Sequence, residues 1–211
     1  EPSAANVFIL VSSRPHLLPL TILSRCHRLR FSPLPQDVIA AFLETERRLA
    51  PAEARVLASS AGGSLGRALD LHRADYIALR DGILDRVAKG RLDPMGCLAL
   101  AGSLAGQKEN IREALEILRA WYRDLLVFKE TGRAEALIHR DRAEDIGRLA
   151  AACSGTSLLE ALRVIRGAAE AVERNANKPL TLESMVFTLF ADKAFFVEDS
   201  RRSPRAGGPG R

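Results

Sequence analysis

Few residues in this 211-residue chain stand in spacings suited to breaking bonds. Its four histidines, His16, His27, His72 and His139, form neither an H-E-x-x-H pair nor another metal-ligand spacing, and no Ser/His/Asp or Cys/His order is visible. Cys26, Cys97 and Cys153 make no C-x-x-C pair, which argues against a zinc knuckle or disulfide framework and fits a reducing cytoplasm. No G-x-x-x-x-G-K-[ST] loop is present to cradle phosphates. The most specific stretch runs Ser12-Ser13-Arg14-Pro15, Leu18-Pro19, then Thr21-Ile22-Leu23-Ser24-Arg25-Cys26. In isolation a Ser-Arg-Cys tripeptide reads as a surface charge beside a small buried neighbour, so Cys26 is expected to pack and stay inert. A serine ending a strand, as Ser12 or Ser13 does, is most often a turn or cap residue.

These residues must be positioned by a short stretch of mixed structure. Val7-Phe8-Ile9-Leu10-Val11 is an apolar run suited to a strand covered on both faces, and in His27-Arg28-Leu29-Arg30-Phe31 the apolar residues alternate with arginine as in a second strand. A short helix around 17–23 separates them. Two strands and a helix cannot close a sheet, so the rest of that domain is expected upstream of Glu1. Ser32-Pro33-Leu34-Pro35 then reads as a linker. Beyond it the pattern predicts helices at about 36–49, with Val38, Ile39, Phe42 and Leu43 on one face, from Pro51 onward, and after Gly62-Gly63-Ser64, where Ser64 can cap the backbone donors.

A charged helix around 74–89 leads to the break Gly90-Arg91-Leu92-Asp93-Pro94. The strongest element covers about 109–129, with Ile111, Leu115, Leu118, Trp121 or Tyr122, Leu125 and Phe128 at helical spacing, a stripe that must be buried. Asp141-Arg142-Ala143-Glu144 and Ser157-Leu158-Leu159-Glu160 both match the capping-box spacing. The second opens a helix bearing Leu158, Leu162, Ile165, Ala169 and Val172, read as a bundle helix, and a last helix spans about 180–195 after the turn at 175–179. The Ser-, Arg-, Gly- and Pro-rich end, 198–211, is expected to be a disordered basic tail.

Hydrophobic residues make up 47% of the chain and aromatics only 5%, a balance that supplies a core and favours helix over sheet. The formal charge is +5, but Glu198 to Arg211 holds four Arg against two acids, leaving about +3 for the rest, too diffuse to be an electrostatic footprint for nucleic acid. No apolar run reaches membrane-spanning length and no signal segment opens the chain.

The order of apolar strand, Ser-Ser-Arg-Pro, short helix and Ser24-Arg25-Cys26 resembles the sensor-1 and Ser-Arg-Cys region of clamp loaders of the AAA+ ATPase superfamily. Trp121-Tyr122-Arg123-Asp124-Leu125-Leu126, Lys129-Glu130-Thr131-Gly132 and Asn175-Ala176-Asn177-Lys178-Pro179-Leu180 are similar to the C-terminal domain of the delta-prime branch of that family. The resemblance implies a mainly α chain in four parts: the end of an AAA+ α/β core (1–32), a three-helix lid (33–90), a helical collar for oligomerisation (91–197) and the tail (198–211). It makes Arg25 a trans-acting arginine that reaches phosphates bound by the next subunit, a role suited to a guanidinium that stays charged and presents a rigid fork of donors.

Ser12 or Ser13 falls at the sensor-1 position, and Gly63-Ser64-Leu65-Gly66-Arg67 places Gly66 where ATP-binding members carry arginine. Arg67 is no substitute, since a helix turns about 100° per residue. The implied protein has no cofactor of its own, with ATP and magnesium at the neighbouring subunit, and no independent catalysis. It would be a cytoplasmic component of the DNA-directed DNA polymerase III holoenzyme, a nucleotidyltransferase. Implied partners are gamma/tau and delta subunits in a hetero-pentamer, and through it the sliding clamp and primer-template DNA, with no membrane. The alternatives are an ATP-binding gamma/tau-like or archaeal small subunit and, from another class, a helical nucleic-acid-binding regulator. The latter predicts a basic recognition helix, whereas the best helices here carry mixed charge over apolar stripes.

Overall fold

The computed structural model describes residues 7–107 and 110–190, which divide into two compact units, Glu1–Pro33 and Leu34–Arg211. The described part of the first unit holds a single 3-10 turn, Pro15–Leu17, and one helical turn, α1 (Leu20–Leu23). The strands expected at 7–11 and 27–31 are not formed, and no strand occurs among the described residues. An extended segment acquires ladder hydrogen bonds only beside other strands, and here Val7, Phe8, Ile9, Leu29 and Phe31 are all exposed, so neither face has a partner. Cys26 is exposed as well, not packed, because none of the described residues of this unit is buried to form a core around it.

The regular structure of the second unit, among its described residues, is helical. α2 (Gln36–Arg47), α3 (Pro51–Ser60) and α4 (Leu65–Arg73) pack in succession around Ile39, Leu43, Ala54, Leu57 and Ala68. The buried face of α2 is narrower than its apolar pattern: Ile39, Ala40 and Leu43 are covered while Val38 is 49% exposed. Pro51 opens α3, and the Ser64 hydroxyl accepts from the Arg67 N–H at 3.2 Å to cap α4.

α5 (Tyr76–Val87) is bracketed by two left-handed residues, Asp75 at φ 50° and Gly90 at φ 82°. α6 (Pro94–Gly106) follows, capped by an Asp93 carboxylate that accepts from the Gly96 N–H at 2.7 Å. A Cβ on Gly96 would lie 2.9 Å from that carboxylate oxygen, so glycine lets the cap close. This helix has no charged residue and therefore no polar stripe to announce it in the sequence.

α7 (Ile111–Thr131) is the central post, burying Ile111, Leu115, Leu118, Trp121, Tyr122 and Leu125, and it ends where Gly132 adopts φ 65° and donates to the Phe128 carbonyl at 2.8 Å. Both Trp121 and Tyr122 are buried, so the stripe is wider than a single seam. Against α7 pack α8 (Ala143–Ala152) and α9 (Gly155–Glu173), while α10 (Lys178–Phe190) lies along α6 and α9 and reaches α7 where the Phe190 ring meets Tyr122 edge-on. α9 packs on α7 and α10 as a bundle helix.

Neither capping box forms as spaced. α9 begins three residues early, with Ser154 accepting from the Ser157 N–H at 3.0 Å, and α8 starts without a side-chain cap because Asp141 is engaged by Arg80. The last helix begins at Lys178, two residues before its expected start; its expected stretch 191–195 and the tail 198–211 lie outside the described residues.

Candidate functional site

In the first unit a chain of local hydrogen bonds sets the position of Arg25. The Ser12 hydroxyl accepts from the Arg14 N–H at 3.1 Å, fixing the turn into Pro15–Leu17. Pro19 then starts α1, the Ser24 N–H donates to the Leu20 carbonyl at 2.9 Å, and the Ser24 hydroxyl donates to the Thr21 carbonyl at 3.3 Å. The Arg25 N–H closes the last turn on the Ile22 carbonyl at 3.1 Å.

Arg25 therefore projects from the end of a helical turn, exposed, and its guanidinium has no hydrogen-bond or ion-pair partner among the described residues. No Asp or Glu occurs from residue 2 to residue 36, so Arg14, Arg25, Arg28 and Arg30 have no nearby carboxylate in sequence. Among its described residues the unit presents guanidinium charge with no carboxylate to compensate it, suited to an anionic oxygen from outside. Ser12 serves its own turn and Ser13 is exposed beside it.

Gly66 lies in the first turn of α4, in the second unit, and is exposed. A Cβ there would meet only the Ser64 hydroxyl, at 3.9 Å, and its backbone is not left-handed. Neither packing nor conformation requires glycine at this position. Arg67, one residue on, is exposed and has no ion pair among the described residues.

A second polar constellation, which apolar periodicity does not single out, lies in the helical unit. Asp124 is fully buried on α7 and accepts from the Ile138 N–H at 3.0 Å, the His139 N–H at 2.8 Å, His139 Nδ1 at 3.1 Å and Arg123 Nη1 at 2.7 Å. Burial pushes its carboxyl up, but the hydrogen bonds from His139, from the two backbone N–H groups and from Arg123 outweigh it and hold the carboxyl below the usual range. Arg80, on α5 and 1% exposed, donates to Asp141 at 2.6 Å and to Asp81 at 2.9 Å. Arg142 pairs with Asp85 at 2.8 Å and Asp81 at 3.3 Å. Burial alone would lower the Arg142 guanidinium, yet these two carboxylates raise it above its ordinary value.

A cavity of about 730 Å³ opens beside Arg80, between α2, α3, α5 and residues 138–141. The sequence signal for this constellation is a charge standing inside an apolar stripe: Asp124 lies between the buried Tyr122 and Leu125, next to Arg123. Among the described residues no group of three or more His, Cys, Asp or Glu could hold a metal, and no helix is long and apolar enough to cross a membrane.

Against known proteins, residues 74–189 match the family described as DNA polymerase III, delta subunit, C terminal. The chain is also 25% identical over 176 residues to DNA polymerase III subunit tau of Bacillus subtilis (strain 168), covering 70% of this chain and 30% of that protein. It thus spans under a third of the length of that curated relative.

Proposed function

The chain belongs to the family defined by the C-terminal part of the DNA polymerase III delta subunit, a clamp-loader-related family, and on that premise we propose that it is a delta-prime-type subunit. In this reading it assists ATP-driven loading of the sliding clamp on primed DNA and supplies Arg25 in trans to a neighbour's ATP site. Residues 33–90 serve as the lid and 91–197 as the collar that joins gamma/tau and delta subunits in the cytoplasm. Ser12, Ser13 and Gly66 are degenerate sensor positions, and ATP and magnesium reside on the neighbour.

The observation that carries the role is the exposed Arg25 guanidinium, unpartnered among the described residues in a segment free of acids. A guanidinium held ready in that way stabilises charge developing on a transferred phosphoryl group without prior loss of an internal ion pair. Gly66 favours a subunit that does not turn over ATP itself, since an arginine would fit there and is absent. The similarity to a tau subunit supports the second reading, an ATP-binding gamma/tau-like subunit.

The test is an Arg25→Ala full-length subunit reconstituted with its partners and shown by size exclusion to assemble. Trans-acting arginines contribute roughly 10³ to 10⁵ in rate at their own site, and a ring with several sites dilutes the loss. Bulk ATPase is expected to fall partially and clamp loading more. Wild-type ATPase and loading in the assembled variant overturn the role of Arg25. Calorimetry on the full-length subunit with magnesium-ATP separates the two readings: micromolar binding selects the gamma/tau-like one.

A further inference from the structure

The connection from α7 to α8, residues 133–142, is held by two sets of charged contacts of different character. Toward α7, the carboxylate of Asp124 is wholly buried and takes the N–H groups of Ile138 and His139. Toward α5, the contacts are ion pairs whose carboxylates face water: Asp81 is 40% exposed, Asp141 45% and Asp85 63%. Arg80 supplies the buried end of that second set, and its Nε has no acceptor. The guanidinium is thus incompletely satisfied in the closed arrangement.

Ile138, Arg140 and Asp141 form one wall of the 730 Å³ cavity, whose other walls are α2, α3 and α5. Among the described residues no hydrogen bond or ion pair joins α2 or α3 to this connection. The 3-10 turn Arg140–Arg142 buries none of its own residues, so no side chain of its own has to leave the core when it moves. Within the turn Arg140 holds the Leu137 carbonyl at 3.3 Å; among the other charges nearby, Arg123 holds the Ala136 carbonyl at 2.8 Å, and Arg148 holds the Ala88 carbonyl at 2.6 Å and pairs with Asp145. All lie outside the Arg80–Asp141 contact.

We propose that residues 140–142 form a salt-releasable strap: the turn detaches from α5 and opens the cavity while Asp124 keeps residues 138 and 139 in place. Ions reach the water-facing carboxylates of these pairs, most fully in the Arg142–Asp85 pair and less where Arg80 is buried, whereas they do not reach the buried Asp124 cluster. Local opening of this kind is a sub-global event, separable from unfolding of the bundle. The strap does not depend on the clamp-loader reading.

Amide hydrogen exchange on the whole chain tests it residue by residue. The Arg142 N–H, bonded to the His139 carbonyl at 3.0 Å, reports on the strap; the Ile138 and His139 N–H groups report on the Asp124 anchor; amides inside α7 report on global unfolding. Raising sodium chloride from low salt to molar concentration, with intrinsic rates corrected, is expected to speed exchange at Arg142 by roughly 10-fold and leave the other two sets unchanged. Asp141→Asn at low salt should reproduce part of the effect, since Arg142 keeps Asp85 and Asp81, and Asp141→Glu should restore most of the protection. Asp141 is nearly half exposed and Arg80 keeps Asp81 at 2.9 Å, so these variants keep the fold, where Arg80→Ala, which empties the space of a fully buried side chain, would confound the reading. Arg142 exchange that ignores salt and Asp141→Asn overturns the strap. So does acceleration of all three sets together.

Discussion

Replacing Asp124 with alanine should be among the most destabilising single changes in the helical unit, and the size of the loss follows from its partners. The substitution leaves the N–H groups of Ile138 and His139 and the ring Nδ1 of His139 without their acceptor, at contacts that measure 3.0, 2.8 and 3.1 Å. Arg123 is partly exposed and keeps the Ala136 carbonyl, so it loses little. A buried donor stranded in this way costs about 1–3 kcal/mol, giving roughly 3–6 kcal/mol for three after relief of carboxylate desolvation is set against them. Whole domains are stable by only about 5–15 kcal/mol.

Urea unfolding followed by Trp121 fluorescence reads the change in midpoint. Asp124→Asn retains one acceptor oxygen and should lose about half as much. The acid limb gives an independent check. Because the folded-state carboxyl is held below its unfolded value, the unfolded chain binds the proton first as pH falls. The stabilisation is therefore complete above the ordinary carboxylate range and is lost as pH drops through the folded value. The gap between wild type and Asp124→Asn should narrow over that window. An Asp124→Ala chain within about 1 kcal/mol of wild type, with an unchanged acid limb, refutes this account of the connection.

Thiol reactivity should divide the three cysteines in the native chain: Cys26 reacts at once with an aromatic disulfide reagent, while Cys97 and Cys153, both buried with thiols pushed up chiefly by burial, react only on unfolding. Three fast thiols would contradict the packing described. Gly66→Ala should stabilise the chain by about 0.5–1 kcal/mol, since the position is helical and open; a lower melting temperature would mean the site is more crowded than its 3.9 Å nearest neighbour indicates. In the reconstituted complex, Arg25→Lys should rescue the Arg25→Ala defect poorly, because an ammonium keeps the charge without the planar fork. Full rescue would reduce the role of Arg25 to charge alone.

Helices with one apolar stripe and a punctuated start were the most legible part of the chain. Pro51 and Ser64 mark their helix starts, and the α7 stripe from Ile111 to Leu125 is buried as its spacing requires. The two strands were not legible as structure, because a strand depends on neighbours that a local apolar run does not contain. α6 escaped pattern analysis for the opposite reason: it lacks the polar face that periodicity detects. Capping boxes misled where a stronger interaction claimed the residue, as when Arg80 takes Asp141. Of the candidate positions, Arg25 and Gly66 were readable from sequence, whereas the Asp124 and Arg80 clusters join residues 14, 15 and 61 apart and become visible only on folding.

The pairing of α6 with α10 constrains how the bundle can be made on a ribosome. The inner face of α6, built from Cys97, Leu100, Ala101 and Leu104, is covered by the last described helix through Leu182, Met185, Val186 and Leu189. Some 80 residues of chain separate the two faces. At about 5–20 residues per second, that interval leaves an uncharged apolar helix waiting several seconds for its cover during synthesis. Residues 36–73 make their own neighbouring contacts and can settle earlier, as can α7 with α8 and α9, whereas the inner face of α6 is closed only when α10 arrives. Truncations before Leu182 would thus expose that surface throughout the protein's life, and such products should be directed to chaperones or aggregates.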